Sequence, residues 1–133
     1  IVEAVATNTN EVSQAAKSLV GKVDAIYVPT DNVVVAALEA VIQVAEENKI
    51  LVVAGEKDSV ERGAVATLGI DYYKLGQQTG EMALKIISGE AKPQHMPVES
   101  QHQTDIIINL KAAKAMGIEM PENLLHKAAE IIE

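Results

Sequence analysis

Residues 24–54 read DAIYVPTDNVVVAALEAVIQVAEENKILVVA, and this stretch decides the fold. Asp24 to Pro29 is a short apolar run of strand type. Thr30-Asp31-Asn32 follows with side chains able to cap a helix. Val34, Ala37, Leu38, Val41, Val44 and Ala45 then recur at helical spacing, and Glu46 to Lys49 end that helix. Ile50 to Ala54 is continuously apolar, the pattern of a strand covered on both faces of a parallel sheet. Strand, helix and strand in this order predict a crossover unit with parallel strands.

The same alternation extends both ways. Ile1 to Ala6 is apolar enough for a strand, and Val12, Ala15, Ala16 and Leu19 form one helical face closed by Gly21. Gly55 to Arg62 is a polar connection with room for one helical turn. Gly63 to Ile70 contains a fourth strand. Asp71 caps a helix carrying Leu75, Thr79, Met82, Ala83 and Ile86 on one side, ended by Ser88-Gly89. Glu90 to Gln103 has no helical period and reads as a loop, with a short extended piece at Val98. Asp105 to Asn109 is a last strand, and Lys111 to Met116 a short helix ended by Gly117. Pro121 opens a terminal helix with Leu124, Leu125, Ala128 and Ile132 on one face. The expectation is an α/β fold of flavodoxin-like type: a parallel sheet between two helical layers, with residues 1–133 as one domain.

Composition narrows the function. The chain has 133 residues, 48% hydrophobic and 23% charged, with no Phe, Trp or Cys. The core is therefore aliphatic, and disulfides, thiolate catalysis and Cys-ligated metals are excluded. Nineteen acids against eleven bases give a net charge of -8, and Arg62 is the sole arginine. Without clustered bases, binding to nucleic acid or to an anionic membrane is disfavoured. No stretch approaches a membrane span. The opening Ile1-Val2-Glu3-Ala4-Val5 reads as a strand rather than a signal peptide, and the absence of an initiator Met suggests residues upstream.

Phosphate-binding loops are missing: neither the Walker pattern nor Gly-x-Gly-x-x-Gly occurs. No cofactor is expected. There is no nucleophile elbow. His95, Glu99 and His102 form a possible metal cluster only on paper, since their spacing matches no metal motif. Carboxylates are the better lead. Asp31, Glu56 and Asp71 each follow an apolar strand, at the edge where open α/β sheets bind ligands. Asp31 and Asp71 are equally explained as helix caps. Glu56 has no clear helix to cap, which favours a ligand role. Thr30, Asn32 and helix N-termini add neutral donors, so the edge suits a zwitterion such as an amino acid. Gly76 and Gly80 cost helix stability and imply a closely packed neighbour. Tyr72 and Tyr73 cannot share one helix face.

Val28-Pro29-Thr30-Asp31-Asn32, entering an Ala-rich helix, resembles the type I periplasmic binding protein superfamily. So do Ala66 to Gly76, Ala83 to Glu90 and Ile108 to Lys114. Together with Val12 to Leu19 and Asp24 to Asn32, these blocks resemble the ABC-transporter substrate-binding proteins of the tryptophan or aromatic amino-acid type. The resemblance covers nearly the whole chain but only the C-terminal portion of a two-lobed protein.

The resemblance implies one lobe of an extracytoplasmic solute-binding protein, not an enzyme. It would deliver an aromatic or branched amino acid to an ABC permease, with the N-terminal lobe and a second copy of the chain as further partners. It places Thr30 and Asp31 in the ligand loop, Glu56 as a ligand-binding acid after its strand, and Ile70 and Asp71 at the hinge crossover. Asn32, Gly55, Asn8 and Thr9 belong to the same strand-exit loops. The 71–90 helix would pack on the missing lobe or on a second copy. Lys57 and Asp58 make the Glu56 loop more charged than the resemblance implies. Two alternatives stay open: a flavodoxin-like fragment that self-associates without ligand, and a metal-dependent enzyme using Asp31, Glu56 and Asp71.

Overall fold

A computed structural model describes residues 1–101 and 104–133. The chain divides into two compact units. The first holds Ile1–Gly69 and Asp105–Glu133, and the second holds Ile70–Thr104.

The first unit carries a five-stranded sheet in the order β1-β2-β3-β4-β5. The strands are β1 (Ala25–Val28), β2 (Leu51–Ala54), β3 (Ala66–Gly69), β4 (Asp105–Asn109) and β5 (Glu130–Ile132). Three ladders are parallel, as the sequence predicts, and β3 with β4 is antiparallel. The reason lies at the β3 exit. Gly69 pairs with Asp105, so the excursion through the second unit leaves and returns at one edge, and β4 must run back.

Helix α1 (Thr9–Leu19) buries Val12, Ala16 and Leu19, and Gly21 ends it at φ 72°. The single long helix expected after Asp31 is two helices, α2 (Asn32–Ala36) and α3 (Leu38–Asn48), with the break at Ala37. Three consecutive β-branched residues, Val33 to Val35, weaken the first helix. The break lets Leu38 start α3 fully buried. Helix α4 (Lys57–Glu61) fills the polar connection as a short helix.

Along the sheet, alternate side chains fall on opposite faces. Ile26, Val28, Val52, Ala54, Thr67 and Ile107 are buried on one face with the helical core. On the other face Tyr27 and Leu68 are 65% and 64% exposed. The first unit thus covers one sheet face fully and leaves apolar side chains open on the other.

Two terminal expectations are corrected. Ile1–Ala6 forms no strand: the run has no turn or bend and pairs with none of the described strands. An apolar run signals a need for burial, but pairing depends on a distant neighbour that the run does not encode. The terminal helix stops early. Helix α7 is only Glu122–Leu125, and Glu130-Ile131-Ile132 joins the sheet beside Ile107 to Asn109. β-Branched isoleucines opposite a β4 edge gain more from the ladder than from one more helical turn. Helix α6 (Leu110–Ala115) is as expected and is capped by Asn109.

The second unit consists of α5 (Tyr72–Ile87), a 3-10 turn at Pro93–His95 and connecting loop. Val98 lies in no strand and is exposed. No side chain of α5 is buried. Gln78 Nε2 ties the loop to the helix, donating to Glu99 Oε2 at 2.9 Å and to the Ser100 carbonyl at 3.1 Å. A Cβ built on Gly76 or Gly80 meets no atom of the described residues within 4 Å.

Gly63, between α4 and β3, has φ 120°, and an added Cβ would lie 3.1 Å from Ile42 Cγ2. Both backbone and space oppose a side chain there. Gly63→Ala is expected to cost about 1–2 kcal/mol in urea unfolding, with an unchanged slope.

Candidate functional site

The parallel strands β1, β2 and β3 end at one edge of the first unit, and the antiparallel β4 and its neighbour β5 begin there. This edge gathers Thr30 and Asp31, Gly55 to Lys57, Gly69, Asp105 and Glu130.

At two glycines of the edge, neighbouring protein groups pack close against the backbone. A Cβ on Gly55 would lie 2.8 Å from Thr30 Oγ1, 3.2 Å from Thr30 N and 3.4 Å from the Tyr27 hydroxyl. A Cβ on Gly69 would lie 3.2 Å from Thr67 Oγ1 and 3.7 Å from Lys57 N. Gly55 N donates to the Val28 carbonyl at 2.9 Å, which holds the two loops together. Thr67 Oγ1 is buried with no partner among the described residues. The result is an edge that gathers the Thr30, Tyr27 and Thr67 hydroxyls around two bare stretches of backbone.

The carboxylates have separate fates. Asp31 Oδ1 accepts from Val33 N at 2.9 Å and Val34 N at 3.0 Å, so it caps α2 with one oxygen. Asp31 N donates to the Pro29 carbonyl at 2.8 Å, which tightens the loop. Asn32 is exposed as the first residue of α2.

Glu56 corrects the reading that it lacks a helix to cap. It is the N-cap of α4, 6% exposed, and its carboxylate accepts from Ser59 N at 3.1 and 3.2 Å and from the Ser59 hydroxyl. Both oxygens serve α4. Nearby, Lys57 Nζ lies 2.6 Å from Glu130 Oε2 and 3.5 Å from Glu61 Oε1. The Glu130 bond chiefly holds the Lys57 ammonium above its ordinary pKa.

Asn8 caps α1 through Asn10 N at 3.1 Å, and Thr9 is the first residue of that helix. Thr7 N and Oγ1 both donate to Glu11 Oε2, at 2.8 and 2.9 Å. The Thr7 backbone bond is the main reason that the Glu11 carboxyl sits below its ordinary value. The Asn8 side chain is thus engaged in starting α1.

Ile70 and Asp71 belong to the second unit. Ile70 is exposed. Asp71 Oδ1 accepts from Tyr73 N at 2.9 Å and Lys74 N at 3.1 Å, capping α5. The Lys74 amide bond is the largest cause lowering the Asp71 pKa, and the Tyr73 amide bond adds to it. A lowered carboxyl stabilises above the ordinary value, near 4, and loses that contribution as pH falls through the folded value. The Tyr73 and Lys74 amide resonances are therefore expected to hold steady down to about pH 4 and to shift only below it. Asp71→Asn should remove that inflection.

The site therefore unites Thr30, Asp31 and Gly55. Sequence reasoning missed Tyr27, whose hydroxyl reaches Gly55, and Thr67 with Gly69. No local sequence signal marks Tyr27, because its place depends on the strand register, which pairs it with Val53, two residues before Gly55. Among the described residues no group of His, Asp and Glu is placed to hold a metal. His102 of the paper cluster lies outside the described residues.

The profile of the ABC transporter substrate binding protein family matches residues 1–132. The chain is 44% identical over 119 residues to the tyrosine-binding protein of Clostridioides difficile, covering 90% of this chain and 34% of that protein. A conserved domain protein from Vibrio cholerae superposes with a TM-score of 0.83 at 37% identity, covering 98% of this chain and 44% of that one. An ABC domain from Streptococcus pneumonia, solved in complex with L-Trp, gives 0.79 at 33% identity, covering 96% and 43%. The chain spans about a third of the curated relative and under half of the solved chains.

Proposed function

The chain belongs to the ABC transporter substrate binding protein family, and from that premise we propose that it is a lobe that binds an L-amino acid with an aromatic or branched side chain. The observation that carries the reading is the convergence of Thr30 Oγ1 and the Tyr27 hydroxyl on the bare backbone of Gly55. Hydroxyl and backbone donors there suit a carboxylate, and the Asp31 carboxylate suits an ammonium group. The relatives named for tyrosine and solved with L-Trp support this ligand class.

In the longer protein this edge forms one wall of the ligand cleft, with the other lobe supplying the second. Ligand then selects the closed state that an ABC permease recognises on the extracytoplasmic side. Ile70 and Asp71, where the chain leaves β3, serve the hinge. The exposed α5 helix, with Gly76 and Gly80 unfilled, offers a face to the other lobe or to a second copy. Family membership and the hydroxyl-lined edge favour this reading over a fragment that only self-associates.

Saturation-transfer NMR on this chain with L-tyrosine, L-tryptophan, L-leucine and D-glucose tests the ligand class. Signal transfer is expected for the amino acids, strongest for the aromatic pair, and none for glucose. Gly55→Ala should abolish transfer while leaving the folded spectrum intact elsewhere. A glucose signal, or amino-acid signals indifferent to Gly55→Ala, would sink the proposal.

A further inference from the structure

One lysine ties the ligand edge to the far side of the sheet. Val28, Ala54, Thr67, Ile107 and Glu130 stand in register across all five strands. Residues paired in this way share a face of the sheet. The first four are buried, and Glu130 closes the row at the β5 edge with a half-buried carboxylate. A charge at the end of a buried row needs a counter-charge. Lys57 supplies it, with its Nζ 2.6 Å from Glu130 Oε2. Lys57 opens α4, directly after Gly55 and Glu56 of the ligand edge. Its backbone N lies beside the end of β3, 3.7 Å from where a Gly69 Cβ would stand. From β3 to β5 is two strand spacings, about 10 Å, so the paired side chains span β4.

The pair adds little to global stability. Its side chains are 41% and 43% exposed, and exposed ion pairs lose most of their attraction to screening and to lost side-chain freedom. Its place gives it another role. On the β1 side, the loop at Gly55 is held by Gly55 N donating to the Val28 carbonyl at 2.9 Å. We propose that Lys57 and Glu130 form a clasp that holds this loop from the other side, which makes them positioning residues for the bound amino acid. The clasp rests on the ligand reading above for that last step. The loop is then suspended between the two edge strands, from β1 by a main-chain bond and from β5 by an ion pair. The second contact of Lys57, with Glu61 Oε1 at 3.5 Å, stays within α4 and cannot reach across the sheet. Salt screens a half-exposed clasp, so ligand affinity acquires a dependence on ionic strength.

The test follows amide exchange and L-tyrosine titration by NMR in Lys57→Met, Glu130→Gln, the two combined, Lys57→Arg and Glu61→Gln. Without ligand, exchange at the Gly55 amide should quicken roughly tenfold in Lys57→Met and in Glu130→Gln, and no further in the double variant. The Val65 amide, bonded to the Val52 carbonyl, should keep its rate and report an intact sheet. Lys57→Arg, which keeps the pair, should keep the slow rate, and Glu61→Gln should leave it unchanged. Tyrosine affinity should fall about threefold in each clasp-breaking single variant and no further in the double. Salt at about 0.5 M should weaken the unsubstituted chain by a similar factor and the clasp-broken variants less. Gly55 exchange unchanged by breaking the pair, or losses that add in the double variant, would overturn the clasp. Faster Gly55 exchange with unchanged tyrosine affinity would overturn the positioning role. If tyrosine binds none of these chains, the ligand reading fails and takes the positioning role with it, while the exchange rates still decide the clasp.

Discussion

Leu38→Ala should lower the stability of the folded chain by about 3 kcal/mol, and its melting temperature by roughly 10 °C. Leu38 is fully buried at the start of α3, where the chain breaks from α2 and turns onto the sheet. Truncation removes transfer energy and leaves a cavity that the backbone break cannot collapse without losing the α3 packing of Val41 and Val44. A domain of this size has only some 5–15 kcal/mol in total, so the loss is a large share. Urea unfolding followed by circular dichroism reads it directly, and a loss under 1 kcal/mol would show that the α2–α3 break is not held by this side chain.

Asn109→Ala should have a comparable effect for a different reason. Asn109 is 5% exposed, and its side chain bridges two elements. Nδ2 donates to the Val60 carbonyl at 2.8 Å and Oδ1 accepts from Ala112 N at 2.9 Å. Alanine strands a buried N–H at the start of α6 and takes one donor from the Val60 carbonyl, which keeps the Gly63 amide at 3.2 Å. The orphaned N–H costs about 1–3 kcal/mol and the lost bond about 1 kcal/mol, so a total near 3 kcal/mol is expected. Asn109→Asp keeps the cap at Ala112 but sets a carboxylate against the Val60 carbonyl, so it should destabilise more at neutral pH than at pH 3. Equal stability of Asn109→Asp at both pH values would contradict the assigned orientation of the amide.

The central unit, Asp24 to Ala54, was legible because its signals are local: an aliphatic strand, a capping Asp31 and a buried helical stripe. The helix at Asp71 was legible for the same reason. What the sequence left hidden is non-local. Ile1–Ala6 has strand composition, but its fate depends on a neighbour. Glu130 to Ile132 falls on a helical period and becomes a strand because β4 offers an edge. The return of β4 antiparallel to β3 follows from the excursion through residues 70–104, which no local pattern records.

The site divides in the same way. The rule that ligands meet the carboxyl ends of parallel strands pointed to Thr30, Asp31 and Gly55, which the fold brings to one edge. It misjudged Glu56, because a helix as short as α4 leaves little periodic trace. It passed over Tyr27, whose hydroxyl reaches Gly55 only through the register of two strands.

The central claim is that the edge at Thr30, Asp31 and Gly55 receives an amino acid. It is tested most directly by titrating L-tyrosine into the isotopically labelled chain and following every backbone amide. The account predicts shifts centred on Thr30, Asp31 and Gly55 that saturate at roughly millimolar ligand, weak because one wall of the cleft acts alone. Shifts centred elsewhere, or none at these three amides, would contradict it.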